Sequence, residues 1–197
     1  MMQNMPLSKT HKARSRRRIL SAASTLFCRH GYSGAGINAI MEAAELTRGA
    51  FYAHFESKEE LFTVVVGGVP PLLERLQQRG DRHTHHLVDG AVEAIRDALS
   101  PDKLEFDSAV GALETLAADV ARADIATRFT YAMNVGKVAD ELMRGFERDR
   151  EHDPRALAAL SLIVGGWAIA RASSPDPIAH EVLAACADAA DAILRGE

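Results

Sequence analysis

Apolar residues recur three or four positions apart along most of the chain, which is the spacing of one helix face. Strictly alternating patterns, typical of strands, are short, and alanine, leucine, glutamate and arginine dominate the periodic segments. The pattern therefore predicts an all-α fold. Together with the start and stop signals it predicts about nine helices, at residues 12–30, 37–44, 48–54, 57–79, 85–99, 102–122, 125–150, 155–173 and 177–195.

Helix starts are marked by capping residues. Ser57 precedes Glu60 by three positions, a capping box in which the hydroxyl accepts a backbone N–H and the carboxylate reaches back. Ser100 and Asp153 each stand directly before a proline, which suits the first helical turn because its missing N–H is not needed there. The pair Pro70–Pro71 lies inside the fourth predicted helix, where it predicts a kink.

Residues 37–55 have the spacing of two short helices joined by a tight turn. Apolar residues at i, i+3, i+4 and i+7 give the first helix one buried stripe, which continues after the turn. We expect Thr47 to cap the second helix, whose free N–H groups favour a phosphate. The residues predicted to close a small core against the first helix of the chain are Ile37, Ile40, Met41, Ala44, Leu46, Phe51 and Phe55.

Charge is distributed unevenly along the chain. Residues 1–62 carry nine Lys and Arg against five Glu, a balance of +4, whereas the other 135 residues carry 14 basic against 22 acidic residues, a balance of −8. A positively charged N-terminal segment followed by an acidic body indicates that the N-terminal segment binds a polyanion. A basic arm that only aids solubility is the alternative for residues 9–18. These features predict an N-terminal DNA-binding domain at 1–62 and a helical domain at 63–197.

The segment from residue 40 to residue 61 resembles the DNA-binding motif of the TetR family of bacterial repressors, Ile-Ala-x-x-Ala-Gly-Val-Ser-x-Gly-x-x-Tyr-x-His-Phe-x-Ser-Lys-Glu-x-Leu. The resemblance covers about residues 12–62 and is only architectural beyond them. It implies a cytoplasmic, dimeric, ligand-responsive regulator, expected to be a repressor of a palindromic operator, with no enzymatic activity and no cofactor. The matching positions are Ile40, Ala44, Gly49, Tyr52, His54, Phe55, Ser57, Lys58, Glu59 and Leu61, with Leu46 and Thr47 as close substitutes.

The resemblance also implies which residues contact DNA. Arg48 is expected to read a base, because a guanidinium pairs with guanine O6 and N7, and the alternative is that it clamps a phosphate. For Tyr52 and His54 the alternative is a partly buried pair. The implied contacts are Thr47, Tyr52, His54 and Lys58 at phosphates, and Arg48, Gly49 and Ala50 at base edges.

The chain departs from the family motif at two places. Glu45 occupies the turn position that is usually glycine, and a side chain with positive φ there costs on the order of 1 kcal/mol. Either the turn is built differently, or the negative charge near DNA moderates affinity. Gly36 stands where a serine or threonine commonly caps the second helix, so a phosphate-binding hydroxyl is missing.

The last two predicted helices carry apolar stripes that the resemblance assigns to a homodimer interface, with ordinary intrachain core as the alternative. Small alanines there would allow two helices to approach closely, and two-fold operators require two-fold proteins. The interface residues predicted are Leu160, Val164, Trp167, Val182, Ala185 and Ala189.

Aromatic and methionine side chains of the body are expected to line a cavity for a small apolar or amphipathic effector, with bulk core packing as the alternative. We expect the fourth helix to transmit binding, because it spans both domains. The predicted lining residues are Phe106, Val110, Leu113, Phe129, Met133 and Trp167.

Other chemistry finds little support in the sequence. Cys28 and Cys186 form neither a disulfide framework nor a metal motif, and His83–His86 lacks a partner at ligand spacing, so we expect no metal site. We expect no membrane segment, because uninterrupted apolar runs are short. Two other functions remain open. A regulator controlled by a protein partner would lack an occupied apolar cavity, and a helical enzyme would need a catalytic motif that we do not find.

Overall fold

The computed structural model describes residues 6–78, 84–104, 111–144 and 153–196, and every regular element in these ranges is a helix. The all-α prediction is therefore confirmed. The helices are α1 (Pro6–Gly34), α2 (Ile37–Ala43), α3 (Arg48–Phe51), α4 (Lys58–Val66), α5 (Pro71–Gln78), α6 (Thr84–Ala98), a 3-10 turn (Pro101–Leu104), α7 (Ala112–Thr115), α8 (Ala117–Val120), α9 (Ile125–Leu142), α10 (Pro154–Ser173) and α11 (Ile178–Arg195).

Two apolar cores organise the described residues. The first joins α1, α2, α3 and α4 and also takes in Leu116 and Val120 from the region of α7 and α8. The second joins α5, α6, α7, α9, α10 and α11. Tyr131 of α9 packs against both cores, and its hydroxyl donates to the carbonyl of Leu113 at 2.7 Å. Helices α1 to α4 are thus attached to the rest of the chain through buried side chains as well as through the segment that joins α4 to α5.

The single helix predicted at 57–79 is wrong. Helix α4 ends at Val66 and α5 begins at Pro71, so the chain breaks before the prolines instead of kinking at them. The side-chain amide of Asn134 donates to the carbonyls of Val66 at 2.9 Å and Gly68 at 3.0 Å. The amide thus supplies a donor to backbone carbonyls that have no partner within the last turn of α4. Asn134 lies far from these carbonyls in the sequence.

The helix predicted at 102–122 is also wrong in its described part, which holds a 3-10 turn and the short helices α7 and α8. Gly111 precedes α7 and packs tightly against the start of α5. A Cβ on Gly111 would lie 2.5 Å from Pro71 Cδ and 2.9 Å from Glu114 Oε2. Close approach between these two elements therefore requires glycine at this position. Residues 105–110 and 145–152 lie outside the described residues.

Helix α10 lies in the middle of the body. Asp153 caps it by accepting from the N–H of Arg155 at 2.8 Å, as the sequence predicted. Trp167 is 1% exposed and its indole N–H donates to the carbonyl of Ala98 at 3.0 Å. By length and composition α10 is apolar enough to cross a membrane, with a mean hydropathy of 1.5. Core helices of water-soluble proteins pass the same test, so this is weak evidence.

Candidate nucleic-acid interface

The turn between α2 and α3 is closed by two backbone hydrogen bonds. The N–H of Leu46 reaches the carbonyl of Met41 at 2.9 Å, and the N–H of Glu45 reaches that of Glu42 at 2.8 Å. This is the Schellman arrangement, which needs a left-handed residue just after the helix. Glu45 supplies it with φ of 50°. The turn therefore keeps the conformation that glycine would adopt, in spite of the side chain.

Arg18 of α1 is paired with this unusual residue. Its Nη2 lies 2.5 Å from the Glu45 carboxylate, so the negative charge that the sequence places near DNA has a counter-charge. The sequence contains three consecutive arginines at 16–18, and spacing alone did not indicate which of them would reach the turn.

Helix α3 presents one apolar and one polar side. Phe51 and Phe55 are buried in the first core, as predicted. The predicted outer residues at the start of the helix are exposed, and Tyr52 is 60% exposed, which argues against its alternative role as a partly buried residue. Ala50 is half-buried. The exposed residues at the start of α3 are Thr47, Arg48 and Gly49.

Two details of α3 differ from expectation or refine it. Thr47 occupies the capping position, but its hydroxyl makes no capping hydrogen bond, so the predicted side-chain cap is wrong. Its exposed hydroxyl is available to another acceptor or donor. A Cβ on Gly49 would meet nothing within 4 Å, so packing within the chain does not require glycine here. The missing side chain leaves the backbone of α3 accessible at this position.

His54 is half-buried, and its Nδ1 atom has no hydrogen-bond partner among the described residues. Burial lowers the pKa of His54, and the neighbouring positive charges of Lys12 and Arg16 lower it further. The imidazole is therefore neutral near pH 7. It can donate a hydrogen bond to a phosphate but brings no charge to one. Arg16 itself lies over the ring of Phe55, 4.6 Å from its centroid.

Lys58 opens α4, and its ammonium lies 4.3 Å from the centre of the Tyr32 ring. The Tyr32 hydroxyl donates to the Glu59 carboxylate at 2.5 Å, so one aromatic ring joins the first turn of α4 to the end of α1. The capping box is also present. Ser57 accepts from the N–H of Glu60 at 3.1 Å, and Glu60 reaches back to the N–H of Glu56 at 2.6 Å. These contacts fix the direction in which Lys58 leaves the helix.

Residues 19–65 match the sequence model described as "Bacterial regulatory proteins, tetR family". The N-terminal part of the chain therefore carries a TetR-type regulatory domain.

Individual relatives agree with this assignment. The "Probable acrEF/envCD operon repressor" of Escherichia coli (strain K12) is 37% identical over 71 residues, which cover 36% of this chain and 32% of that protein. The chain spans about a third to a half of the length of the curated relatives it matches. Reduced E. coli NemR superimposes with a TM-score of 0.69 at 18% identity, covering 89% of this chain and 94% of NemR. The complex of SmeT with triclosan gives 0.56 at 18% identity, covering 89% of both chains. These structural likenesses show the TetR fold.

The effector residues predicted for the body fall in three different environments. Phe129 is 67% exposed and Met133 is 48% exposed, so within one chain both lie on the outer side of α9 and not among its buried residues. Leu113 and Trp167 are packed in the core of the body. Phe106 and Val110 lie outside the described residues. Helix α9 has apolar residues on both sides, and the sequence did not show which side turns inward.

A different cavity, of about 330 Å³, lies where the DNA-binding motif meets the body of the TetR fold. None of the six predicted effector residues lines it. Its walls come from the end of α1, from α4, and from the segment that joins α8 to α9. The lining residues are Tyr32, Ser33, Glu59, Phe62, Asp119, Arg122, Ala123, Asp124 and Thr127.

The predicted interface residues of the TetR body fall into two groups. Leu160 and Trp167 are 4% and 1% exposed within one chain, so their assignment to a subunit interface is wrong. They point into the core because α10 is apolar on every side, and periodicity selected its inner stripe. The residues left on the outer side are Val164 and Val182, which are half-buried, and Ala185 and Ala189, which are exposed.

Metal chemistry gains no support in the described part of the chain, where no three His, Cys, Asp or Glu side chains are placed to share an ion. The side chains of His83–His86 lie outside the described residues.

Proposed function

We propose that this chain is a homodimeric, cytoplasmic repressor that binds a palindromic operator and is released by a small molecule. The observation that carries the proposal is the exposed start of α3, Thr47-Arg48-Gly49, held by buried Phe51 and Phe55. A short helix fixed in this way can enter the major groove with its first residues against base edges. The name of the E. coli relative as a repressor supports the direction of control.

Phosphate contacts are proposed from both sides of α3. Thr47 offers a free hydroxyl, Tyr52 is exposed, and Lys58 is directed by Tyr32. Basic side chains of α1 extend the same positive surface, since Lys12, Arg14 and Arg17 are exposed. Such contacts position a protein on DNA, whereas Arg48 would supply sequence discrimination. His54 would contribute a neutral donor.

The dimer is proposed on the outer side of α10 and α11. These helices pack on each other, yet they leave large apolar side chains uncovered. Leu157 is 39% exposed, Ile169 is 53% exposed and Ile178 is 46% exposed. Together with exposed Ala185 and Ala189 they form a surface that a second copy would bury, giving the two-fold symmetry that a palindromic operator requires.

Control by a small molecule is proposed because α9 of the body holds α4 of the DNA-binding motif. The hydroxyls of Thr63 and Thr127 are 2.6 Å apart, and Asn134 binds the end of α4. A ligand that prefers one placement of α9 therefore changes the position of Lys58. The triclosan complex of SmeT shows a small molecule bound to a protein of this fold.

The decisive experiment is footprinting of the purified protein on DNA flanking its own gene, followed by titration of the protected site by fluorescence anisotropy. We expect a protected palindrome, a two-protomer complex, and an affinity that falls steeply with salt because phosphate contacts release counterions. Equal affinity for the protected site and for scrambled DNA would contradict operator recognition. Candidate effectors come from a thermal-shift screen of apolar metabolites, each then tested in the operator titration.

A further inference from the structure

The cavity between the DNA-binding motif and the body has an unusual charge. Its lining contains three carboxylates, from Glu59, Asp119 and Asp124, against the single guanidinium of Arg122, a formal balance of −2. Hydrogen bonds hold two of these acids in the ionised form. The Tyr32 hydroxyl keeps the pKa of Glu59 below its ordinary value, and the N–H of Thr127 does the same for the pKa of Asp124.

The positive charge within the lining, the Arg122 guanidinium, forms only a weak ion pair. Arg122 lies 3.3 Å from the Asp119 carboxylate, but its side chain is 72% exposed, so water can screen and replace this pair. Asp119 is 18% exposed and sits more deeply. The Asp119 carboxylate is therefore more sheltered from water than the guanidinium that pairs with it.

The other side of the cavity is aromatic. Phe62 is 2% exposed and meets the Tyr32 ring edge-on, with 4.9 Å between ring centres. An apolar wall facing ionised carboxylates suits a ligand with a cationic end and an aromatic or aliphatic body. The volume of about 330 Å³ is near the lower end of ligand sites, roughly 300 to 1,000 Å³, so it suits a small molecule.

The two halves of the molecule meet closely at this wall. Gly31, at the end of α1, has φ of 70°, and a Cβ there would lie 3.0 Å from Asp119 Oδ2. A Cβ at this position would require the Asp119 carboxylate to shift by a few tenths of an ångström. A ligand that occupies the cavity therefore contacts α1 and the segment that carries Asp119 at the same time.

The aromatic wall is also the support of a proposed DNA contact. Lys58 rests on the Tyr32 ring, and the same tyrosine holds Glu59, the residue next to Lys58. A cation beside Glu59 and Asp119 competes with Lys58 for their negative charge and presses on the ring that supports it. Occupation of the cavity and the position of Lys58 are thus linked through one side chain.

We propose that this cavity binds a small organic cation with an apolar body, and that the bound cation weakens operator binding by displacing Lys58. The binding of a cation is argued from the cavity alone. Its effect on operator binding rests on the proposed DNA-binding function, and the experiments below separate the two claims.

The site is tested first without DNA, by isothermal titration with three probes of one shape. They are 4-phenylbutylamine, 4-phenylbutanol and 4-phenylbutyrate, which differ in charge but share their apolar body. We expect the amine to bind at least about tenfold more tightly than the alcohol, and the carboxylate not to bind, because the lining is acidic. Equal affinity for all three probes, or no binding of the amine, would overturn the cation site.

Variants then locate the binding. Glu59→Gln and Asp119→Asn each remove one negative charge and should weaken the amine by about fivefold or more. Ala123→Phe fills the cavity without a charge change and should abolish binding. Glu74→Gln, at an exposed carboxylate of α5 outside the lining, is the matched control. Unchanged affinity in all three cavity variants, with native thermal melting, would place the amine elsewhere.

The regulatory half is tested by operator titration of the full chain with saturating 4-phenylbutylamine. We expect operator affinity to fall about 5-fold or more, and the fall to disappear in Ala123→Phe. An amine that binds the cavity but leaves operator affinity unchanged would overturn the coupling and keep the site. A protein that binds no operator in the absence of amine would instead contradict the proposed function, while the titration without DNA still decides the site.

Discussion

Arg18 donates to Glu45 at two points, with Nη2 2.5 Å from the carboxylate Oε2 and 3.4 Å from the backbone carbonyl oxygen. One guanidinium thus holds both the side chain and the backbone of the turn that orients α3. The pair is largely exposed, 39% for Arg18 and 86% for Glu45, so its contribution to stability is no more than about 1 kcal/mol. Its larger effect is on charge, since it neutralises a carboxylate beside the proposed DNA surface.

The first prediction separates the backbone of Glu45 from its charge. Glu45→Gly and Glu45→Ala both remove the carboxylate, but only alanine keeps a Cβ at φ of 50°. We therefore expect Glu45→Gly to be more stable than Glu45→Ala by about 1 kcal/mol in urea denaturation. Glu42→Ala, at an exposed helical position, is the control. Identical stability of the two Glu45 variants would show that the left-handed backbone carries no cost.

The second prediction concerns recognition. Arg48→Ala should lower discrimination at one base pair by about 1 to 3 kcal/mol, because it removes the proposed base contact. Lys58→Ala should weaken binding to all sequences and flatten the salt dependence by about one phosphate contact. Both are measured by anisotropy on a substituted operator series. Arg128→Ala, an exposed arginine of the body, should change neither, and full discrimination by Arg48→Ala would disprove base reading.

The third prediction places the dimer on α11. Ala185→Glu should give monomers by light scattering at micromolar protein, since an unpaired carboxylate buried between subunits costs several kcal/mol and each loss of about 1.4 kcal/mol weakens the dimer roughly tenfold. Helicity should remain, because Ala185 is exposed within one chain. The control is Ala132→Glu, at an exposed alanine on α9. A dimeric Ala185→Glu protein would move the interface to another surface.

The fourth prediction uses Glu114, which is 5% exposed and whose Oε2 has no hydrogen-bond partner among the described residues. Burial raises the pKa of Glu114 above its unfolded-state value. The folded state therefore holds the proton more tightly, and this contribution to stability is present at low pH and is lost as pH rises toward the folded pKa. The loss amounts to at most about 1.4 kcal/mol per pH unit.

Glu114→Gln removes this titration. Its free energy of unfolding should exceed that of the wild type by an amount that grows as pH rises above the unfolded-state pKa of about 4.3, as measured in urea from about pH 4 upward. Glu74→Gln, at an exposed carboxylate, should show no such growth. A constant difference between Glu114→Gln and the wild type across this range would show that Glu114 does not titrate abnormally.

Local signals were sufficient for the helix class and for the DNA-binding motif, because caps, turn and apolar stripe lie within a few residues of each other. Distant contacts decided the rest. The end of α4 is set by Asn134, which lies 66 to 68 residues away in the sequence from the carbonyls it binds. Apolar periodicity does not separate inner from outer stripes on α9 and α10, which is why the pattern places exposed Phe129 in the interior and buried Trp167 at both the interior and the subunit interface. The acidic cavity combines residues from three separate segments, and no single segment marks it.

The last prediction tests how the body holds the DNA-binding motif. Asn134 is 4% exposed, and Asn134→Ala leaves the carbonyls of Val66 and Gly68 without their donor. A buried acceptor without a partner costs about 1 to 3 kcal/mol, so the variant should lose that much stability in urea. It should also loosen α4 from α9, and an effector that acts through this contact should then change operator affinity less than in the wild type. Lys137→Ala is the control on the same helix, because the Lys137 side chain is exposed. Operator titration with and without an effector, in both variants, measures the coupling. If Asn134→Ala loses stability yet responds to the effector as the wild type does, the contact stabilises the fold but does not carry the signal.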